Sequence, residues 1–125
     1  MGGIRAGMDT RSKIGDAAGF RGNGSLVVVT GYFDPLLAWH ARALENARGR
    51  AGELAVIVLP LDGELLPQSA RAALVAALRV VDYVLIGDNG DLDRLFAELK
   101  ATQIVRLEED DFRRRAELME HVRRR

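Results

Sequence analysis

The segment Gly31-Tyr32-Phe33-Asp34-Pro35-Leu36-Leu37-Ala38-Trp39-His40 carries the residue types with which a protein grips a phosphate. The apolar run Val27-Val28-Val29-Thr30 before it reads as a buried strand, and Ala41, Leu44 and Ala47 after it fall at helical spacing. It is therefore a strand-to-helix loop. In open parallel sheets such loops face the ligand, because the free backbone N–H groups at the helix start point towards an anion. Gly31 permits a tight turn with close backbone approach. His40 falls in the first helical turn, where an imidazole can donate to a phosphate oxygen. Asp34, ahead of Pro35, suits an Asx-turn or cap as well as a place near a metal. Trp39 suits packing or an interface as well as a base-stacking platform.

The elements that must hold this loop are short β-branched runs alternating with helical stretches, the pattern of repeated βαβ units. Leu26 to Thr30, Leu54 to Leu59, Tyr83 to Ile86 and Gln103 to Arg106 are the expected strands. The first three are nearly continuous in apolar residues, as parallel strands covered on both faces should be. Leu74, Leu78 and Val81 mark one intervening helix, and Leu92, Leu95, Phe96 and Leu99, with Asp91 as N-cap, mark the next. The last helix opens on Glu108, Glu109, Asp110 and Asp111 and closes on arginines, so its charges oppose its own dipole at both ends. The expected architecture is α/β, a Rossmann-like parallel sheet of four or five strands flanked by helices. Residues 1–25, glycine-rich and without periodicity, are expected to be a flexible leader, and residues 26–125 a single domain. If ordered, the leader would need a partner subunit to hold it.

A chain of 125 residues suits one domain. Lysine plus arginine and aspartate plus glutamate number 18 each, so no global field draws the chain to nucleic acid or to an anionic membrane. Without cysteine there is no disulfide framework and no thiolate nucleophile. No apolar run approaches the ~20 residues needed to span a bilayer, and a cytoplasmic protein is expected. The run Asp88-Asn89-Gly90-Asp91-Leu92-Asp93 lacks the glycine position and the closing glutamate of a calcium loop, and reads as a turn before a capped helix. No metal ligands are assigned. Arg113, Arg114 and Arg115 lack interleaved aromatics and read as a solvated face.

The first loop resembles that of the cytidylyltransferase-like nucleotidyltransferases, which runs approximately Gly-x-Phe-Asp-x-x-His-x-Gly-His after an apolar strand. Gly31, Phe33, Asp34 and His40 match in register. Arg79-Val80-Val81-Asp82-Tyr83-Val84 is similar to the Arg-Tyr-Val-Asp-Glu-Val signature of the glycerol-phosphate cytidylyltransferases and to its counterpart in the heptose-phosphate adenylyltransferases. The resemblance covers roughly residues 26–106. It implies attack of a small phosphorylated or carboxylated substrate on the α-phosphate of CTP or ATP with Mg²⁺, release of pyrophosphate, and a homodimer. The implied nucleotide-binding residues are Gly31, Tyr32, Phe33, Asp34 and His40, with His40 catalytic and Arg71 or Arg79 supplying a cation. Trp39, Arg79 and Asp82 are the expected interface or turn-holding residues.

The chain also departs from that pattern. Leu37 stands at the first histidine and Trp39 at the glycine of the motif. Loss of one such donor costs on the order of a hundred- to a thousand-fold in rate. Pro60 to Pro67 supplies no lysine, and the late Ile-Ser-Ser-Thr loop has no counterpart. The expectation is a noncatalytic or atypical member acting through oligomerisation or partner binding, with active CTP- or ATP-dependent transfer as the alternative.

Overall fold

The apolar runs line up as one parallel sheet in the computed structural model, which describes residues 10–22 and 24–124. A 3₁₀ turn at Thr10–Lys13 leads into β1 (Ile14–Gly15), and a second follows at Ala17–Gly19. Then come β2 (Leu26–Gly31), α1 (Ala38–Arg48), β3 (Glu53–Val58), α2 (Gln68–Ala76), β4 (Tyr83–Ile86), α3 (Leu92–Leu99), β5 (Gln103–Arg106) and α4 (Glu108–Arg123). The sheet order is β1-β4-β3-β2-β5, with every neighbouring pair parallel. Successive crossovers therefore run outwards from β2 to β3 and β4, and the chain then returns to place β5 on the other side of β2. That reversal makes a topological switch point at the carboxyl ends of β2 and β5, where such sheets bind ligands. The Rossmann-like expectation holds.

Alternation along the central strands divides the core into two layers. Val27 and Val29 of β2, with Val56 and Val58 of β3, pack against Leu44 of α1 and Ala72, Val75 and Ala76 of α2. Leu26, Val28, Ala55 and Ile57 point the other way, onto Leu92, Leu95 and Leu99 of α3. Both faces are thus covered, which is why these strands are continuously apolar.

The flexible-leader expectation needs correction over residues 10–22, while residues 1–9 and 23 lie outside the described residues. Ile14 and Gly15 add a strand to the edge of β4, in register with Val84 and Leu85. Lys13 Nζ donates to the carbonyls of Leu78 and Val81 at 3.2 and 2.8 Å. The Tyr83 hydroxyl donates to Asp16 O at 2.7 Å, and the Phe20 and Tyr83 rings meet at 5.3 Å. The chain's own open sheet edge holds this segment, a role expected of a partner subunit. Composition missed it because the stabilising groups lie more than sixty residues away.

Candidate functional site

β2 ends at Gly31, and the following turn passes through Phe33 in the left-handed region at φ 53°. A bulky residue seldom adopts that conformation. Here burial of the Phe33 ring in the layer facing α1 and α2 holds it. The backbone N–H groups of Tyr32 and Phe33 consequently face one point and donate to the same oxygen, Asp111 Oδ2, at 2.8 and 2.9 Å. Gly31 is needed for this approach, since a Cβ there would meet the Phe33 ring at 3.0 Å and Asp111 Oδ2 at 3.2 Å.

His40 completes the arrangement. Its Nδ1 accepts from Leu37 N at 2.9 Å, so the ring proton resides on Nε2, which donates to Asp111 Oδ1 at 3.0 Å. His40 and Asp111 are 1% and 2% exposed. Three donors from the loop thus converge on one buried carboxylate supplied by α4. A carboxylate in a concavity of successive N–H groups is the behaviour of an anion site.

Trp39 lies over this arrangement. Its ring stacks on His40 with centroids 4.0 Å apart, and the Arg114 guanidinium sits 4.5 Å above the indole. Trp39 Nε1–H is buried with no acceptor among the described residues, a situation that costs roughly 1–3 kcal/mol. The large ring at the motif's glycine position therefore packs between α1 and α4 as a cover over the imidazole.

Of the other sequence-marked residues, Asp34, Arg71 and Asp82 are engaged by contacts within the chain. Asp34 is buried, and its two carboxylate oxygens accept from Leu65 N and Leu66 N at 2.6 and 2.9 Å. Arg115 of α4 pairs with it at 3.4 Å and donates to Asp34 O and Gly63 O at 3.0 and 2.7 Å. Asp34 thereby ties the β2–α1 loop to the β3–α2 loop. Arg71 is fully buried and donates to the carbonyls of Tyr32, Leu59 and Leu66 and to Glu64, so it clamps the same loops from below. Arg79 is exposed in the turn before β4, at the amino end of the sheet and away from the loop. Asp82 lies near it, accepting from Leu54 N at 2.9 Å and pairing with Arg48 at 3.0 Å.

The structure thus gathers Gly31, Tyr32, Phe33, Asp34, Trp39, His40 and Arg71 at the switch point and leaves Arg79 and Asp82 at the opposite end. It adds Asp111, Arg114 and Arg115, which were read from the sequence as dipole charges and solvated surface. The available signal was spacing: Leu107, Asp111 and Arg115 recur four apart and so share one helix face. Beside them Glu108 accepts from the buried Thr30 hydroxyl and pairs with Arg106. Burial, then the Glu108 and Asp111 carboxylates, push the Tyr32 phenol above its ordinary value of 10.0, with Arg106 opposing.

The oxygens a Mg²⁺ ion would take do not fit that use in this arrangement. Both Asp34 oxygens and both Asp111 oxygens carry N–H donors, and no cluster of three metal-ligating side chains occurs among the described residues. No helix among the described residues is long and apolar enough to cross a membrane.

A parallel sheet in this order, with an anion-holding loop at its switch point, defines a Rossmann-like α/β protein of the nucleotidyltransferase type. The crystal structure of the lipopolysaccharide core biosynthesis protein from Thermoplasma volcanium has this fold, with a TM-score of 0.61 at 28% identity over 66% of this chain and 73% of that one. No protein-family model matches. The chain is 34% identical over 105 residues to the FAD synthase of Archaeoglobus profundus, covering 79% of this chain and 67% of that protein. It is 38% identical over 81 residues to the FAD synthase of Methanoculleus marisnigri, covering 59% and 54%. The chain belongs to the nucleotidyltransferase-like family that includes these FAD synthases. It spans from 54% to 67% of the length of those two relatives. Neither carries the name of the glycerol-phosphate or heptose-phosphate branches to which the second motif pointed.

Proposed function

We propose that this chain is a nucleotidyltransferase-fold protein that acts by binding, without ordinary nucleotidyl transfer in the state described. The observation supporting this is the commitment of the loop: Tyr32 N–H, Phe33 N–H and His40 Nε2–H are all spent on Asp111. Leu37 in place of a second donor points the same way, because transition-state charge on a transferred phosphate is stabilised by such donors. The test is incubation with Mg²⁺ and either ATP plus flavin mononucleotide or CTP plus glycerol phosphate, with pyrophosphate as the readout. No release beyond the protein-free control is expected. Turnover of roughly 1 s⁻¹ or more, ordinary for an enzyme, would overturn the reading.

The names of the relatives favour a second reading, adenylyl transfer from ATP to a flavin phosphate. In that reading His40, once freed from Asp111, is the transition-state donor and Mg²⁺ accompanies the ATP. His40→Ala would then abolish FAD formation while circular dichroism stays unchanged. A homodimer is part of the leading reading. It is supported by an apolar hollow lined by Pro35, Leu65, Leu118, Met119 and Val122, of which Leu65 and Val122 are 55% and 60% exposed.

A further inference from the structure

We infer that Asp111 is an internal stand-in for a phosphate, so that the first turn of α4 holds the loop's anion cradle shut and a phosphate-bearing ligand binds by displacing it. This rests on reading the loop as a binding site. An ionised carboxylate offers only acceptor oxygens, as a phosphoryl group does, and here it takes two backbone donors and one imidazole donor. The cradle and its occupant are separate parts of the chain, more than seventy residues apart. The occupant can therefore leave without dismantling the loop.

The way α4 is attached supports displacement. Of the helix's 16 residues only Asp111 is buried, and Phe112, Leu118 and Val122 are exposed. Its described polar contacts to the loop region are Asp111 in the cradle, Glu108 on Thr30 and Arg115 on Asp34 and Gly63, with Arg114 stacked on Trp39. A helix held mainly by polar contacts loses little apolar burial when an external anion takes the carboxylate's place. The closed state also leaves Trp39 Nε1–H unmet, a donor that water can reach once α4 moves. In such an equilibrium the ligand's apparent affinity is its intrinsic affinity reduced by the fraction of open molecules.

Inorganic pyrophosphate is the probe, titrated calorimetrically into the full chain. Asp111→Ala removes the competitor and is expected to bind at least ~10-fold more tightly than the wild type. Glu109→Gln, which removes an exposed charge two residues away on the other side of the helix, is expected to bind as the wild type does. A folded Asp111→Ala chain with no gain would sink the inference, as would an equal gain in Glu109→Gln. If Asp111→Ala does not fold, Trp39, the sole tryptophan, serves instead. Saturating pyrophosphate should red-shift its emission in the wild type as Arg114 and α4 withdraw, and an unmoved spectrum at saturation counts against displacement. ATP in place of pyrophosphate separates a nucleotide ligand, bound more tightly than pyrophosphate, from a simple phosphate ligand, bound no less tightly than ATP. Displacement is read from equilibrium binding and the proposed function from pyrophosphate release, so either can fail alone.

Discussion

Tyr32 reports the electrostatics of the switch point from inside it. Its amide holds Asp111, its carbonyl receives Arg71, and its phenol lies near Glu108 and Asp111. The phenol is raised by burial first and by those carboxylates second, while Tyr83 is raised by burial and then by Asp16. Both tyrosines of the chain should therefore resist ionisation at pH 10, which tyrosinate absorbance during alkaline titration will show. The folded chain holds these protons more tightly than the unfolded one, so their contribution to stability is full below pH ~10 and is lost as pH rises through the raised values. Glu108→Gln removes one repelling charge and should lower the Tyr32 transition, leaving Tyr83 in place. A Tyr32 transition that does not move would mean that Glu108 has no hold on the phenol. At this scale the sequence disclosed the loop and concealed its occupant. Gly31 and His40 were marked by their places between strand and helix and Phe33 by the resemblance to the family motif, whereas Asp111 lay in a run of four acids that the helix dipole already explained. Only the fold brings one of those acids to the loop.

Among the elements, β2 and β3 follow the apolar runs closely because burial on both sheet faces imposes them, whereas the helix face expected at Leu74, Leu78 and Val81 needs correction: α2 ends at Ala76, buries Ala72, Val75 and Ala76, and leaves Leu74 44% exposed. Observed β4 and β5 coincide with the runs expected at Tyr83–Ile86 and Gln103–Arg106. β1 escaped because a strand of two residues has no period to read, and its hold on the sheet comes from Lys13, Asp16 and Phe20 acting at a distance. Lys13 is the test. Its ammonium donates to the carbonyls of Leu78 and Val81, and hydrogen bonds from a charged donor contribute roughly 1.5–3 kcal/mol each when buried and less when partly wet. Lys13→Ala should thus destabilise the chain by about 1–2 kcal/mol in urea unfolding. It should also loosen β1 and leave the β4 edge open to pairing with other chains, visible as faster aggregation. An unchanged midpoint would show that the segment contributes nothing to the domain's stability.

At the scale of the whole molecule, the two ends of the sheet have different tasks. The amino end is tied by Arg48, Asp82 and Leu54 around the Arg79 turn, contacts that lie within one chain. The carboxyl end carries the loop, the closing helix and the apolar hollow of Pro35, Leu65, Leu118, Met119 and Val122. The sequence-level interface of Trp39, Arg79 and Asp82 therefore divides: Trp39 packs beneath Arg114 and Asp82 is engaged internally, while the exposed apolar residues of the hollow, Leu65, Leu118 and Val122, stand on α4 and the β3–α2 loop. Leu118 and Val122 follow Asp111 at helical spacing and so continue the face of α4 that closes the cradle, and a dimer using that hollow would hold this helix in place and couple assembly to closure. Val122→Glu places a charge at the rim of that hollow, at a position 60% exposed, where a monomer tolerates it within ~0.5 kcal/mol. Light scattering should give a dimer for the wild type and a monomer for Val122→Glu, with unchanged thermal stability of the isolated fold. A wild type that is monomeric at high concentration would remove the dimer and the coupling with it. A dimer that survives Val122→Glu would move the interface off α4. If the coupling holds, the Val122→Glu monomer should bind pyrophosphate more tightly than the wild type, because α4 loses the partner that pins it down.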